Sequence, residues 1–479
     1  MDCKTIFEKN CTDKDPGYFL GAEGINSASA SVPEEFLRKE LKLPSVGERE
    51  VVRHYTGLSR RNLSLDEHFY PLGSCTMKYN PKLNEELAGL EGFSNIHPYQ
   101  SESMVQGALE LMYELEAALC ALTGMKRFSL QPASGAQGEF TAMLMIRAYH
   151  KAKKNKKTRI LVPDSSHGTN PASAAMCGYD VVAVESRPDG LLDIDRLKAA
   201  IDETVAGMML TNPNTLGLFE RDIQTIADLI HAQDGLLYYD GANFNALMGI
   251  TTPALMGFDV VHLNLHKTFS TPHGCGGPGA GVVGVNEKLA DFLPIPLVAK
   301  KGDKFYFDYK GKRSIGKVRS FYGNFGVLVR AYAYILRLGA AGLKKVSQQA
   351  VLNANYLRAG LKDHFEVCSG LPSMHEVVFS CARQKDRGAS ALQIAKRLID
   401  YGMHPPTMYF PLIVKEALMV EPTETESKAM LDGFVRAMLE IDRDITANPR
   451  LFADAPHNSP VKRVDETRAA RQPDLRYKL

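Results

Sequence analysis

Between about residues 125 and 285 the sequence alternates short apolar runs with helical periods, which predicts an α/β protein whose large domain is built on a mainly parallel sheet. A second, shorter alternation after residue 375 predicts a smaller α+β C-terminal domain. The chain length of 479 residues holds both, with a large buried core. Hydrophobic and charged fractions of 44% and 23% match folded globular averages and exclude a disordered chain.

Taken in order, roughly the first 100 residues read as an irregular extension. Within it, residues 71–82 (PLGSCTMKYNPK) have the Pro, Gly, Ser and Asn content of a loop. Residues 103–121 place Met104, Ala108, Leu111, Leu115 and Ala118 at three- and four-residue steps, the period of an amphipathic helix. Candidate strands follow at 159–162, 181–185, 207–211, 236–239, 259–265 and 281–285, with helices expected at 138–152, 193–202 and 222–233. Apolar strands alternating with helices bury both faces of a sheet, and ligands then bind at the carboxyl ends of the strands. The large domain is expected over 101–325. A helical stretch near 325–365, strands at 375–381 and 417–421, and helices at 390–401 and 424–442 build the smaller domain over 326–450. Residues 451–479, with Pro456, Pro460 and the charged run Lys462 to Arg471, read as a surface-lying tail.

Charge and cysteine content narrow the function classes. Lys and Arg number 57 against 55 Asp and Glu, a net +2 that predicts neither nucleic-acid nor membrane-surface binding. The basic stretch Lys151, Lys153, Lys154, Lys156, Lys157 and Arg159 reads as a solvated helix end. Eight cysteines form no C-x-x-C pair, so zinc and thioredoxin-like readings lose support and no metal is expected. Charged residues interrupt the N-terminus, and no run approaches the ~18 apolar residues of a membrane span. The expectation is a cytoplasmic protein.

Chemistry concentrates at the predicted strand ends. Residues 259–281 carry Lys267 to the end of an apolar run, followed at once by a Gly/Pro-rich loop. Taken singly, Lys267 reads as a surface lysine. Upstream, an apolar strand ends in Asp240, with the small residues Gly241 and Ala242 behind it. A carboxylate there needs a cationic partner, and in pyridoxal-phosphate enzymes the protonated ring nitrogen is that cation. Asp240 alone reads equally as a capping or turn residue. Twenty-seven residues separate it from Lys267, room for a loop, a helix and the next strand. Ser134, Gly135 and Ala136 precede a helix, where backbone N–H groups favour a phosphate, though Ser and Gly are also ordinary caps there. His167 follows the strand at 159–162, placed either to stack on a pyridine ring or to serve as a structural histidine. Thr211, Asn212 and Asn214 follow another strand and offer short polar groups to a substrate or to the cofactor's phenolic oxygen. Five strand ends thus converge on one cleft.

The order of ASGAQGE, SSHGTNP, TNPNTLG, YYDGAN and NLHKTFSTPHGCGGPG resembles the fold-type I pyridoxal-phosphate enzymes. More narrowly, PLGSCTMKYNPK at 71–82 with HKTFSTPHGCGGPGAG at 266–281 resembles the glycine dehydrogenase (decarboxylating) family, the P-proteins of the glycine cleavage system. The likeness runs from about residue 15 to about residue 455, and the chain length matches the second subunit of the family's two-chain form. The resemblance implies a fold-type I transferase with pyridoxal 5'-phosphate as a Schiff base on Lys267. It also implies Asp240 at the ring nitrogen, His167 stacked on the ring, and Ser134, Gly135 and Ala136 at the phosphate. His266 contacts the phosphate or tunes the lysine, and Ala242, Thr211 and Asn212 complete the cofactor set.

The implied reaction decarboxylates glycine, releases carbon dioxide and hands the aminomethyl group to the lipoyl group of the H-protein. Either His167 or freed Lys267 moves the protons. The implied partner is a homologous subunit without the lysine, two of each chain in the assembly. The family signature often has glycine at the position of Cys275. Gly274, Gly276 and Gly279 satisfy G-x-G-x-x-G, but that run leads into a predicted strand, so no nicotinamide binding is expected. Ser74, Cys75 and Thr76 read either as substrate contacts or as part of an interface loop, and Cys75 also allows a cysteine desulfurase. The same residues leave room for an aminotransferase or for a cofactor-free scaffold subunit, although a scaffold has no need of the Lys267 amine.

Overall fold

The computed structural model describes residues 4–9, 33–37, 43, 44, 46–274 and 279–476. Cys275 and the part of the glycine-rich run through 278 lie outside the described residues. The chain divides into two compact units, Met1–Ser64 with Pro456–Leu479, and Leu65–Ala455. The first contains a helix at Glu48–Ser59, where an irregular extension was expected; Val51, Val52, Tyr55 and Leu58 give it a helical period. Residues 461–476 of that unit are exposed, and Glu466–Arg471 form a short helix.

The second unit holds a seven-stranded sheet. Its strands are β1 (Arg127–Ser129), β2 (Arg159–Pro163), β3 (Asp180–Val184), β4 (Val205–Thr211), β5 (Leu236–Gly241), β6 (Val260–Asn264) and β7 (Gly281–Val285), in spatial order β1-β7-β6-β5-β4-β2-β3. Pairings from β3 through β6 are parallel; β7 runs antiparallel to β6 and to β1. Along β5, and along β4 from Met208 onward, the side chains alternate between two clusters, and Ala206 breaks that parity. Met208, Leu210, Leu237 and Tyr239 join one apolar cluster, while Ala206, Met209, Leu236 and Tyr238 join another. Helices cover both faces. Gln106–Thr123, Ile223–Ala232 and the first half of Phe325–Leu361 contribute to the first cluster, and Gly135–Ala152 and Thr169–Met176 to the second.

Six of these strands match the apolar runs of the sequence. The three-residue β1 is too short to show a pattern, and the hairpin of β8 (Leu297–Lys301) and β9 (Lys304–Asp308) is hidden by its lysines. Helix Thr169–Met176 (TNPASAAM) carries small residues in place of an apolar period.

A four-stranded antiparallel sheet follows, β10 (Glu366–Val367), β11 (Val377–Ser380), β12 (Thr407–Met408) and β13 (Ala417–Val420), in order β10-β11-β13-β12. Helices Ala391–Asp400 and Lys428–Ala447 and the end of Phe325–Leu361 close its core through Ile394, Leu398, Phe434, Met438, Leu357 and Leu361. Among the described residues Phe325–Leu361 is the one helix long and apolar enough to cross a membrane by length and composition. Gly339 breaks it with a left-handed φ of 58°, and it buries Val327, Leu328, Leu343 and Val346 in the core.

The loop at 71–82 is tied into the small sheet. Leu72 bridges Val420, Gly73 N–H donates to Met419 O at 3.3 Å, and Glu421 N–H donates to Pro71 O at 3.2 Å. Sheet contacts, rather than a free loop, therefore set its path.

Close approach of β4 and β5 gives a stability prediction. A Cβ at Gly207 would lie 2.2 Å from Leu236 O, so Gly207→Ala is expected to lower the stability read from the urea midpoint by about 1–3 kcal/mol or more. A Cβ at Gly57, inside Glu48–Ser59, meets nothing within 4 Å, and Gly57→Ala is expected to stabilise its helix by up to ~1 kcal/mol.

Candidate active site

Polar residues at the carboxyl ends of β2, β4, β5 and β6, with the start of helix Gly135–Ala152, enclose a cleft of about 210 Å³. Asp240 lies near the end of β5, in register with Thr211 of β4 and His262 of β6. It is 3% exposed. Oδ1 accepts from the Ala242 N–H at 3.0 Å and Oδ2 from Asn170 Nδ2 at 3.2 Å. His262 Nε2 stands 3.6 Å from Oδ1. Burial lowers the His262 pKa, so the ring is neutral and brings no counter-charge.

Lys267 projects from the short helix Leu265–Thr268 that follows β6. Its Nζ donates to the backbone carbonyl of Ser74 at 2.7 Å. His266 Nδ1 accepts from the Ala280 N–H at 3.2 Å, and its ring meets His273 edge-on. Burial, then the neighbouring His273 and Lys267, push the His266 pKa down to about 3, so this ring too is neutral.

Ser134 caps helix Gly135–Ala152, its Oγ accepting from the Gln137 N–H at 3.2 Å. Gly135 and Ala136 line the cleft. A Cβ at Gly135 would stand 2.8 Å from Asn264 Oδ1, and one at Gly281 would stand 1.9 Å from Ser134 O, so glycine is needed where this helix start meets β7. His167 faces the cleft, and its Nδ1 lies 2.7 Å from Thr169 Oγ1. Thr211 also lines the cleft, and its buried hydroxyl has no hydrogen-bond partner among the described residues.

Asn212 does not join these residues. It is fully buried, with Oδ1 accepting from the Glu220 N–H at 2.9 Å and Nδ2 directed at Met256 Sδ. The alternation of side chains after β4 turns it away, and the chain reverses at Pro213. Asn214 is likewise occupied, accepting from the Leu216 and Leu218 N–H groups and donating to Gly190 O.

The loop at 71–82 reaches the cleft. Ser74 lines it, and Ser74 and Thr76 adopt left-handed φ values of 58° and 50°. Glu376 Oε2 accepts from the Ser74 N–H at 2.8 Å, and Glu421 accepts from the Thr76 N–H at 2.9 Å and from Thr76 Oγ1 at 2.7 Å. Burial and the mutual proximity of the two carboxyls raise the Glu376 pKa well above the usual carboxylate range; burial takes Glu421 to about 7. Farther along, the buried Lys78 Nζ donates to Thr268 O at 2.7 Å, to Asn245 Oδ1 at 2.9 Å and to Glu424 at 2.8 Å. Its bond to Thr268 ties the loop to the residue that follows Lys267.

Sequence reasoning missed Glu139, Thr169, His262 and Asn264 in the cleft wall, Asn170 beneath Asp240, and Glu376 and Glu421 behind the loop. Glu139 lies in the 18-residue helix Gly135–Ala152 and Asn170 in the short helix Thr169–Met176, where neither carries a local signal that sets it apart from other polar residues.

The Cys75 thiol is pushed up by burial, with Glu421 and Glu376 adding to the shift and Lys267 opposing it. Such a thiol is a poor nucleophile. At pH 7.5 Cys75 is expected to react with iodoacetamide at less than about a tenth of the rate of an unperturbed thiol, followed by peptide mass spectrometry.

Comparison with known proteins agrees with this geometry. Residues 10–307 match the family described as glycine cleavage system P-protein, and residues 346–462 match the glycine dehydrogenase C-terminal domain. A relative from Caldanaerobacter subterraneus subsp. tengcongensis is 59% identical over 93% of this chain and 92% of its own, and one from Oceanobacillus iheyensis is 57% identical over 94% and 93%. Both are named "Probable glycine dehydrogenase (decarboxylating) subunit 2". Among solved structures, an inhibitor-bound glycine decarboxylase (P-protein) of the glycine cleavage system superposes with a TM-score of 0.72 at 19% identity, covering 86% of this chain and 94% of that one. Lactobacillus brevis glutamate decarboxylase gives 0.64 at 15%, covering 88% and 97%. At those identities the structural likeness establishes the fold, which is that of the fold-type I pyridoxal-phosphate enzymes. Sequence identity across nearly the whole length establishes more: the chain belongs to the glycine cleavage system P-protein family.

Proposed function

We propose that this chain carries the glycine-decarboxylating site of the glycine cleavage system, with pyridoxal 5'-phosphate held at Lys267. The observation behind the reading is the placement of the Lys267 amine and the Asp240 carboxyl at the ends of adjacent parallel strands, both lining one cleft.

The residues fit that cofactor. The Gly135 and Ala136 N–H groups open an 18-residue helix, where no intrahelical acceptor exists for them and a phosphate is favoured. The Thr211 hydroxyl is buried, beside the cleft and without a partner among the described residues. Among the described residues, no lysine or arginine forms an ion pair with Asp240, so a cationic ring nitrogen supplies a missing counter-charge. When bound, the cofactor is an electron sink for the pair left as the carboxylate departs from glycine. Asp240 would hold the ring nitrogen, Lys267 would hold the aldehyde carbon and His167, which lines the same cleft, would cover the ring. With its amine free, Lys267 has the Ser74 carbonyl as acceptor, 2.7 Å away.

Names of the relatives as a second subunit imply a companion subunit 1. We extend this to an assembly of two copies of each chain in the cytoplasm, with a lipoylated H-protein docking over the cleft to receive the aminomethyl group. The extension rests on the family resemblance and on the open cleft mouth.

Exchange of labelled bicarbonate into the carboxyl group of glycine tests the assignment, using this chain with the companion subunit and lipoylated carrier. Lys267→Ala is expected to hold exchange below ~1% of wild type and to remove the absorbance band at roughly 410–430 nm. Asp240→Asn is expected to weaken cofactor retention and slow exchange roughly a hundredfold. Full exchange by Lys267→Ala, or wild-type rates from Asp240→Asn, would refute the roles given to those residues.

A further inference from the structure

A line of three side chains crosses the cleft wall to the ring of His167. Glu139 sits on the buried side of helix Gly135–Ala152 and lines the cleft. Its Oε1 is 2.9 Å from Thr169 Oγ1, which is itself 2.7 Å from His167 Nδ1. Ser173 Oγ, on the same helix as Thr169, reaches the second Glu139 oxygen at 3.5 Å.

One hydroxyl hydrogen on Thr169 serves both of its partners, so the two bonds must point the same way along the line. With Glu139 ionised, Thr169 donates to the carboxylate and accepts from Nδ1–H, leaving His167 Nε2 bare. With Glu139 protonated, the carboxyl donates to Thr169 and Thr169 donates to Nδ1, so Nε2 carries the hydrogen. The protonation state of a buried carboxyl thereby selects which imidazole tautomer is presented.

We propose that Glu139, acting through Thr169, sets the tautomer of His167 and stores the proton that His167 Nε2 exchanges with the lipoyl sulfur released when the aminomethyl carbon takes the other sulfur of the disulfide. The inference deepens the functional reading above and rests on it. In the donating direction the carbon's electron pair forms the carbon–sulfur bond as the disulfide bond breaks, and the Nε2–H bond then breaks as a sulfur–hydrogen bond forms on the released thiolate. Nδ1 takes the Thr169 hydroxyl proton, Thr169 takes the Glu139 carboxyl proton, and Glu139 ends as the anion. The imidazole stays neutral throughout, and running the three transfers backward returns a proton to Glu139.

The surroundings allow both states near neutral pH. Burial, then the neighbouring Asp240, raise the Glu139 pKa to about 8, against the lowering effects of Thr169, Lys267 and Ser173. Tyr238 of β5 also interacts electrostatically with Glu139, and burial raises its pKa well above the usual range, so it remains neutral. His262 of β6, close to Asp240, Lys267 and His167, has its pKa lowered by burial and is neutral too. Burial likewise lowers the His167 pKa. The Thr169 N–H approaches Nδ1 at 3.3 Å and favours the Nε2–H form, so removing the hydroxyl alone leaves that tautomer in place.

Ring-nitrogen NMR on the full-length, cofactor-free chain labelled with 15N-histidine tests the relay. His167 is assigned by the signal lost in His167→Gln. Between about pH 6.5 and 9.5, wild type and Thr169→Ser are expected to pass from Nε2–H to Nδ1–H with a midpoint near the Glu139 titration at about 8. Thr169→Val and Glu139→Met are expected to remain Nε2–H across the range. In the loaded complex, Thr169→Val is expected to lower kcat of bicarbonate exchange about 10- to 100-fold with KM within about twofold, and Thr169→Ser to restore it. A single tautomer in wild type, or a swap that survives Thr169→Val, overturns the relay. Exchange without a swap overturns the relay alone and leaves the functional reading. A swap without exchange in the loaded wild-type complex overturns the functional reading, and the proton store with it.

Discussion

A buried carboxyl group with no lysine or arginine ion-paired to it among the described residues is the constraint around which the site is arranged. Asp240 ends a strand whose six residues are all buried, and its oxygens receive one side-chain amide and one backbone N–H. The basic ring beside it, His262, is kept neutral by its own burial. A carboxylate in that position gains stability from a cationic guest, and the sheet leaves room for one between β5 and the Lys267 amine. The same parallel register that buries both faces of β5 and β6 brings those two chain ends together.

The loop at 71–82 connects this sheet end to the C-terminal sheet. Two left-handed residues, Ser74 and Thr76, are held by Glu376 and Glu421, which precede β11 and follow β13. Left-handed φ at residues other than glycine persists only where surrounding contacts overdetermine it. Here two buried carboxyls and the Met419 carbonyl do so. Lys78 closes the arrangement from the other end through Glu424 and Thr268. The active-site surface is therefore shaped by both sheets, although the residues expected to hold the cofactor come from the larger one.

Legibility in the sequence followed the range over which each feature is encoded. Strands β2 to β7 are local apolar runs, and Lys267, Asp240 and His167 stand out as polar residues at or soon after the ends of such runs. Helix Ala391–Asp400 falls within the helix expected at 390–401, and in the structure Ser390 and Gln393 form its capping box. Features that depend on distant partners were not legible. Thr76 and Glu421 meet across 345 positions, and Ser74 and Glu376 across 302, so no window of sequence relates them. Asn212 shows the opposite failure. Its neighbour Thr211 does face the cleft, but one step along the backbone reverses the side-chain direction, and Asn212 instead holds the turn after β4.

The Lys267 amine rests on a main-chain oxygen, and that choice shields it from ordinary genetic variation. Any codon at position 74 still encodes a carbonyl there, so scanning replacements of Ser74 leave the acceptor in place and register only what the hydroxymethyl group does. Deleting the contact takes chemistry that side-chain exchange does not offer, such as weakening the oxygen through an amide-to-ester linkage between residues 74 and 75. Function in this region is thus written partly in the polymer's repeating unit, beyond the reach of an amino-acid alphabet.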